Sequence, residues 1–284
     1  MNSRATRILA LFATNSKILT FSYLIVVVTF FSSGCSTLSL FESRRELANS
    51  LASRAGFTQE LVKANPFVIT TYHRINNAGK EGTVYIEGDG LAWLSRSRLS
   101  PNPTPKDPIS LKLAAKDLSE NVIYLARPCQ YTPVDLNPIC RDSEFWSGKR
   151  FSEEVVSSLN LTLNALKERN NVSGFHLVGY SGGGAVAVLI ASRRTDVLSL
   201  STIAGNLDPT AVNEYHNVTP LQGSLDPMDV AARLRNLPQH HFVGEDDKIV
   251  PPFISENFIE KMGKNSSAER TVMKGYTHKK GWVV

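Results

Sequence analysis

The stretch GYSGG at 179–183 is the part of the chain best suited to chemistry, because a serine lies among glycines between an apolar run and a helical pattern. It matches G-x-S-x-G, in which a serine is displayed on a sharp turn between a strand and a helix. Glycines suit such a turn, since side chains there would clash with the neighbouring strand and helix. A helix N-terminus also favours negative charge that develops beside it. Ser181 is therefore the candidate nucleophile, and a tight packing turn is the structural alternative.

A serine hydroxyl is a poor nucleophile alone, so it needs a base, and the base needs an acid that orients it. In chains with G-x-S-x-G the acid follows the serine and the base follows the acid. The segment FVGEDDKIVPP offers Asp246 and Asp247 in a turn after a strand, and VMKGYTHKKGW offers His278 after the final strand. His216, which lies before both segments, is the competing base.

Strand-like and helix-like segments alternate along most of the chain. Strands are predicted at 66–75, 83–90, 121–128, 174–181, 197–206, 240–247 and 269–276. Helices are predicted at 44–57, 109–118, 152–170, 183–194 and 252–263. This alternation predicts an α/β fold, with a mostly parallel sheet covered by helices on both faces. The candidate acid and base would then follow later strands, at the same sheet edge as Ser181.

The motifs GYSGG, GEDDKIVP and GYTH resemble the nucleophile, acid and base motifs of serine hydrolases in the α/β-hydrolase superfamily, which includes esterases and lipases. The family's acid commonly lies in G-x-x-D-x-x-V-P, which favours the second aspartate of GEDD. The resemblance implies a triad of Ser181, Asp247 and His278 that needs no metal and no organic cofactor. It also implies an α/β-hydrolase domain over 66–284. We expect a small lid or none on this domain, because the segment 206–240 has room for only one or two short helices.

A tetrahedral intermediate needs two backbone N–H donors, which form the oxyanion hole. One is expected from Gly182, and the other from the loop after an early strand, where the family often has His-Gly. This sequence has IEGDG in that loop, so the N–H of Asp89 is our choice. A carboxylate beside a developing oxyanion would oppose it. We therefore expect the Asp89 side chain to point away or to pair, with Arg127 as the partner.

The function expected from these residues is hydrolysis of a carboxylic ester, or a related acyl bond, through an acyl-enzyme. The partner would be a small-molecule acyl substrate, and the short insertions favour a small or medium acyl group. A peptidase or an acyltransferase on the same fold is the alternative within enzymes. A binding lipoprotein without catalytic activity is the alternative outside them.

Residues 1–34 have the organisation of an export signal. The run Ile18–Phe31 follows a positively charged lead and is too short for a comfortable span of a ~30 Å hydrocarbon core. The ending SSGC resembles a bacterial lipoprotein signal, with Ser32 where Leu is usual, and in that family the cysteine carries lipid. We therefore expect lipidation of Cys35, with 35–65 as linker and N-terminal helix. A membrane anchor that stays in place is the alternative.

The same resemblance implies a location in the cell envelope. A residue other than Asp follows the cysteine, which in Gram-negative lipoproteins implies the outer membrane, facing the periplasm. The lipid anchor would make the membrane a partner of the protein. The formal net charge of +5 includes Arg4, Arg7 and Lys17 of the signal, and the remaining +2 gives no reason to expect nucleic acid. The sequence does not indicate an oligomeric state.

Cys129 and Cys140 remain once Cys35 is assigned to lipid. In an oxidising compartment the two can form a disulfide that closes the loop CQYTPVDLNPIC. Two buried free thiols are the alternative. Their spacing does not fit a zinc site, which usually needs two close pairs of Cys or His.

Overall fold

The computed structural model describes residues 41–283 of the chain. Its strands are β1 (Thr58–Ala64), β2 (Phe67–Ile75), β3 (Gly82–Ile86), β4 (Trp93–Ser95), β5 (Arg98–Leu99), β6 (Asn121–Leu125), β7 (Phe175–Tyr180), β8 (Val197–Ile203), β9 (Gln239–Gly244) and β10 (Ala268–Met273). Its helices are α1 (41–54), α2 (Ile109–Lys116), α3 (Glu153–Asn170), α4 (Gly182–Ala191), α5 (Pro209–Tyr215) and α6 (Phe253–Met262). Short 3₁₀ turns cover Pro138–Arg141, Ser143–Trp146, Pro227–Asp229 and Ala231–Leu234.

Eight of the strands form one sheet, in the order β1-β2-β6-β3-β7-β8-β9-β10. The neighbours from β6 to β10 run parallel, whereas β2 is antiparallel to both β1 and β6. The carboxyl ends of β3, β6, β7, β9 and β10 therefore meet at one edge of the sheet. The predicted α/β class with a mostly parallel sheet is confirmed.

Apolar layers lie on both faces of the sheet. All ten residues of α4 are buried, because this helix is apolar all round and is enclosed between the sheet and its neighbours. One layer contains residues of α3, α4 and α6, and a second contains residues of α1 and α2 packed on β2 and β6. Helices thus cover both faces, as the sequence predicts.

The predicted linker at 35–65 contains more regular structure than expected. Strand β1 lies inside it and pairs with β2 along its whole length, so the sheet begins before residue 66. Strands β4 and β5 form a small hairpin between the predicted strand at 83–90 and the predicted helix at 109–118, where no strand is predicted. The stretch between Asn206 and His240 holds only α5 and two 3₁₀ turns, which agrees with the expectation of no large lid.

The expectations for the N-terminus concern residues that the structure does not describe. The signal at 1–34 and the lipidation site Cys35 both lie outside 41–283. Within that described part, no helix combines the length and the apolar character needed to cross a bilayer.

Candidate active site

Ser181 occupies the single residue between β7 and α4. Its backbone has φ 52° and ψ −123°, a conformation that residues other than glycine rarely adopt. Three backbone hydrogen bonds hold it, because its N–H donates to the Ile203 carbonyl and its own carbonyl accepts from Gly184 and Asn206, each at 2.9 Å. The strand–serine–helix turn expected from GYSGG is present, and it raises the serine above the edge of the sheet.

Gly179 and Gly183 lie two residues before and two residues after the serine, and close packing of backbone against backbone requires glycine at both positions. A Cβ atom on Gly179 would lie 2.4 Å from the carbonyl oxygen of Gly183. A Cβ on Gly183 would lie 2.3 Å from the carbonyl oxygen of Ile86, at the end of the neighbouring strand β3. Contacts this short are not possible for a real side chain, so the motif is fixed by its surroundings.

His278 lies between the serine and an acid. Its Nε2 is 2.9 Å from Ser181 Oγ, and its Nδ1 is 2.8 Å from Asp247 Oδ2. The carbonyl of His278 accepts hydrogen bonds from the Tyr180 hydroxyl at 2.9 Å and from the Trp282 indole at 3.0 Å. With Nδ1–H donating to the carboxylate, Nε2 is free to accept the serine proton.

The acid in this constellation is Asp247, and its exposed neighbour Asp246 takes no part in it. The Asp247 carboxylate is fully buried, and its Oδ1 accepts the backbone N–H groups of Ile249 at 2.8 Å and Val250 at 2.9 Å. These bonds orient the second oxygen towards His278. The carboxylate therefore has a partner for each oxygen, which is what a buried charge requires.

The competing base lies elsewhere. His216 is placed with its Nε2 2.8 Å from the Ile249 carbonyl, on the rim of the site. Of the four histidines in strands, three contact hydroxyl groups, in the pairs His176–Ser199, His240–Thr271 and His241–Thr202, and His73 lies 3.9 Å from a Glu60 carboxylate oxygen. Burial lowers the pKa of His241 to about 4, so this side chain is neutral at ordinary pH.

Asp89 and Gly182, the two expected oxyanion donors, lie against each other. A Cβ on Gly182 would be 2.1 Å from Asp89 Oδ1, and a Cβ on Gly88 would be 3.2 Å from the Ser181 Cβ. The Asp89 carboxylate makes ion pairs with Arg127 at 3.2 Å, as expected, and with Arg150 at 3.3 Å. Its charge beside Ser181 is thus opposed by two guanidinium groups.

Glu87 holds the loop that carries Asp89, and sequence reasoning did not identify it. Its Oε1 accepts the Gly88 N–H at 3.0 Å and its Oε2 accepts the Tyr124 hydroxyl at 3.1 Å. Gln130 donates to the Gly88 carbonyl at 2.9 Å. Burial raises the pKa of Glu87 to about 7, although the hydrogen bonds from Gly88 and Tyr124 act in the opposite direction. A carboxyl group inside the apolar run TVYIEG is the signal that could have found it.

The predicted disulfide between Cys129 and Cys140 is present, with Cα atoms 5.5 Å apart. It closes the loop that carries Gln130, which supports Gly88. The structure therefore links the bridge to the loop of the expected oxyanion donor.

An apolar rim borders the acid side of the site. It consists of Tyr215, Ile249 and Phe253, whose side chains are 51%, 46% and 36% exposed. The rings of Tyr215 and Phe253 are 6.0 Å apart, and His216 connects α5 to the loop of Ile249. Arg96, in the β4–β5 hairpin, donates to the carbonyl of His216 at 3.1 Å, so the hairpin reaches the same rim.

Within residues 41–283, no group of three or more His, Cys, Asp or Glu side chains is arranged so that it could hold a metal ion.

Comparison with solved structures assigns the fold. The chain is similar to a puromycin hydrolase (TM-score 0.56, 16% identity) and to an acylaminoacyl peptidase from Pyrococcus horikoshii (TM-score 0.56, 12% identity), with 78% of this chain covered in both. It spans only 36% and 38% of those two chains. An alpha-beta serine hydrolase homologue from Coxiella burnetii matches over 78% of this chain and 88% of its own (TM-score 0.51, 15% identity). The protein therefore has the α/β-hydrolase fold.

No protein-family model matches this sequence, and no curated protein is a significant match.

Proposed function

We propose that this protein is a serine hydrolase that cleaves a carboxylic ester, or a related acyl bond, through an acyl-enzyme. The observation that carries the proposal is the unbroken series of contacts from Asp247 through His278 to Ser181, with distances of 2.8 Å and 2.9 Å. A strained, glycine-flanked serine at a helix N-terminus supports it. The α/β-hydrolase fold is consistent with this chemistry but leaves the reaction open.

The first half-reaction follows from these positions. Ser181 Oγ attacks the carbonyl carbon of the substrate while its proton passes to His278 Nε2. The carbonyl oxygen becomes an oxyanion, which the backbone N–H groups of Gly182 and Asp89 would stabilise. The intermediate collapses to the acyl-enzyme, and the proton on Nε2 goes to the departing alkoxide, which leaves as an alcohol.

The second half-reaction repeats the same steps with water. His278 takes a proton from a water molecule, the hydroxide attacks the acyl carbon, and the proton returns to Ser181 Oγ as the acid product leaves. Asp247 keeps the imidazole in the Nδ1–H tautomer and stabilises the imidazolium that forms in each half. The overall change is one ester and one water converted into one acid and one alcohol.

The apolar rim of Tyr215, Ile249 and Phe253 supports an acyl or alcohol group of small to medium size. These side chains are exposed, so the rim offers a shallow surface instead of a deep tunnel. Burial of a few methylene groups there would contribute about 0.8 kcal/mol each.

A peptidase is the second candidate, because peptidases are among the solved structures that share this fold. Both a puromycin hydrolase and an acylaminoacyl peptidase share the fold over 78% of this chain. The same triad could attack an amide, with His278 protonating an amine leaving group. An ester panel and a panel of amino-acid amides, assayed together, would separate the two.

The test uses the full-length chain purified in detergent. It is incubated with a fluorophosphonate probe and with p-nitrophenyl esters of graded acyl length. Wild type should be labelled and should turn over at least one ester, and Ser181→Ala should lose labelling and several orders of magnitude in turnover. Ser157→Ala, which removes a surface hydroxyl on α3, is the matched control. Full turnover by Ser181→Ala would refute the proposal.

We also propose that Cys35 carries lipid and holds the protein at the outer membrane, facing the periplasm. This rests on the SSGC ending of the signal. Expression in a Gram-negative host with a labelled fatty acid should give a labelled protein in the outer-membrane fraction. Cys35→Ser should remain unlabelled, whereas equal labelling of both proteins would contradict the anchor.

A further inference from the structure

Two arginines and one aspartate meet beside the candidate oxyanion hole. Arg127 follows β6, Asp89 follows β3, and Arg150 precedes α3, so three separate parts of the chain converge at the carboxyl edge of the sheet. The Asp89 carboxylate lies between the guanidinium groups and Gly182. The arginines therefore occupy the layer next to the reacting serine.

The charges in this cluster do not balance. Arg127 and Arg150 have side chains only 4% and 14% exposed, and Asp89 is the acid with which both make an ion pair within 41–283. Both guanidinium groups also lie over the ring of Phe151, with the Cζ atoms 5.4 Å and 5.2 Å from its centroid. One carboxylate paired with two largely buried cations leaves a net positive charge, which the buried Glu87 near Arg127 offsets only in part, so a further anion would stabilise the cluster.

Each of the two arginines also has a buried hydrogen-bond donor without an acceptor. Arg127 donates to Asp89 and to the Arg150 carbonyl, while its Nε has no acceptor. The Nε of Arg150 lies near Asp89 but makes no aligned hydrogen bond. Burial lowers the pKa of Arg127, an effect that Asp89 opposes and that the positive charge of Arg150 adds to. A second anion would offset the repulsion between the two arginines.

The cluster borders a small pocket. Its walls are formed by Asp89, Arg127, Arg150, Gln130, Phe145 and Trp146, together with two prolines. The lining combines charged donors with aromatic side chains, a combination suited to a planar anion at the end of an apolar chain. Guanidinium groups bind carboxylates with two parallel hydrogen bonds, so a carboxylate is the anion that these two arginines favour.

We propose that this pocket binds a carboxylate of the substrate, so that the bond cleaved belongs to a half-ester of a dicarboxylic acid. This inference rests on the proposed hydrolase function. Arg150 is the specificity residue, because its side chain is the more exposed of the two and lines the pocket. The far carboxylate contacts Arg150, and the acyl carbon at the other end of the chain reaches Ser181.

The test compares esters matched in acyl length. Mono-p-nitrophenyl adipate is paired with p-nitrophenyl hexanoate, and the suberate half-ester with p-nitrophenyl octanoate. In the full-length protein, kcat/KM for at least one half-ester should exceed that of its neutral partner by about 10-fold or more. Arg150→Gln should lose this preference, measured as the ratio of kcat/KM for the half-ester to kcat/KM for its neutral partner in the same variant, so that any loss of activity common to both esters cancels. Arg150→Lys, which retains the charge, should keep part of this preference.

Arg169→Gln is the matched control, since Arg169 is an arginine on the exposed face of α3 that pairs with Glu60. It should keep the wild-type preference. If wild type prefers the neutral ester in both pairs, or if Arg150→Gln keeps the preference, the inference is wrong while the proposed function stands. Absence of both ester turnover and fluorophosphonate labelling in wild type would remove the proposed function and the inference with it.

A second measurement does not depend on the variants folding. Free adipate should slow fluorophosphonate labelling of wild-type Ser181, and adipamide, which is neutral and of equal length, should not. Equal rates with both compounds would overturn the carboxylate site even if Arg150→Gln cannot be produced.

Discussion

The Asp89 carboxylate lies where a side chain on Gly182 would begin, with Oδ1 2.1 Å from the position of a Cβ atom. Arg127 and Arg150 hold that carboxylate in place. Gly182, which follows the candidate nucleophile, therefore packs directly against Asp89 in the loop of the second expected oxyanion donor. A change at either residue would be transmitted to the other.

Gly182→Ala should abolish most of the activity. The added methyl group would overlap the Asp89 carboxylate, which cannot move aside without breaking two ion pairs. Loss of one oxyanion donor costs about 10² to 10³ in kcat, and we expect a loss of at least this size. Steady-state kinetics on the best ester would measure it.

Gly82→Ala is the control for that experiment. A Cβ on Gly82, at the far end of β3, would meet no atom closer than 3.5 Å, which is an ordinary contact. Its kcat should stay near that of wild type. An active Gly182→Ala enzyme would show that the carboxylate moves freely and does not hold the donor loop.

Asp247→Asn and Asp246→Asn form a pair of neighbouring changes with opposite expected results. Asp247 is fully buried against His278, so its replacement should favour the wrong tautomer and lower kcat by about 10⁴-fold. Asp246 is exposed, and its replacement should leave kcat almost unchanged. Equal losses in the two variants would contradict the assignment of the acid.

Glu87→Gln should change how stability depends on pH. Burial raises the pKa of Glu87 from 4.5 to about 7, so the folded state binds this proton more tightly than the unfolded chain does. The contribution of Glu87 to the free energy of unfolding is largest below pH 4.5, falls as pH rises from 4.5 towards 7, and is constant above pH 7. The fall should be about 3 kcal/mol, since one pKa unit corresponds to about 1.4 kcal/mol.

Urea denaturation of wild type and Glu87→Gln at several pH values measures this effect as the difference between the two proteins. The difference should change between pH 4.5 and 7 and then level off. Glu81→Gln, at an exposed position, should follow wild type throughout. Parallel curves for wild type and Glu87→Gln would mean that Glu87 does not take up its proton in this range.

Much of the fold and the candidate triad could be predicted because the signals are local. The sequence pattern of the α4 segment predicts a helix directly after a predicted strand, and this order is enough to place Ser181 on the turn between them. His278 follows the last strand in the same way. The choice between Asp246 and Asp247 needed the resemblance to a family, because periodicity cannot fix a one-residue difference within a turn. The bonds from Ile249 and Val250 settle which carboxylate is turned inward.

The features that could not be predicted depend on distant parts of the chain. Arg150 lies in a loop without a motif, and only the folded chain brings it to Asp89. Strand β1 has just two fully buried residues, Val62 and Ala64, and an exposed Leu61, so its alternation is too weak to read. Its place in the sheet comes from pairing with β2.

Removal of the disulfide should lower both stability and activity. In the chain-entropy model, a bridge across a loop of this length contributes about 3 kcal/mol to the free energy of unfolding. The bridged loop also carries Gln130, whose amide donates to the Gly88 carbonyl beside the candidate oxyanion donor. Cys129→Ser should therefore unfold at lower urea concentration and show a lower kcat.

Cys140→Ser and the double variant test whether one bond accounts for the effect. Each should lose the same stability as Cys129→Ser, because all three lack the same bridge, and wild type treated with reductant should match them. A lower kcat that persists under conditions where the variants are fully folded would come from the freed loop and its contact with Gly88. If kcat stays at the wild-type value, the bridge acts on stability alone, and Gln130 keeps its position without it.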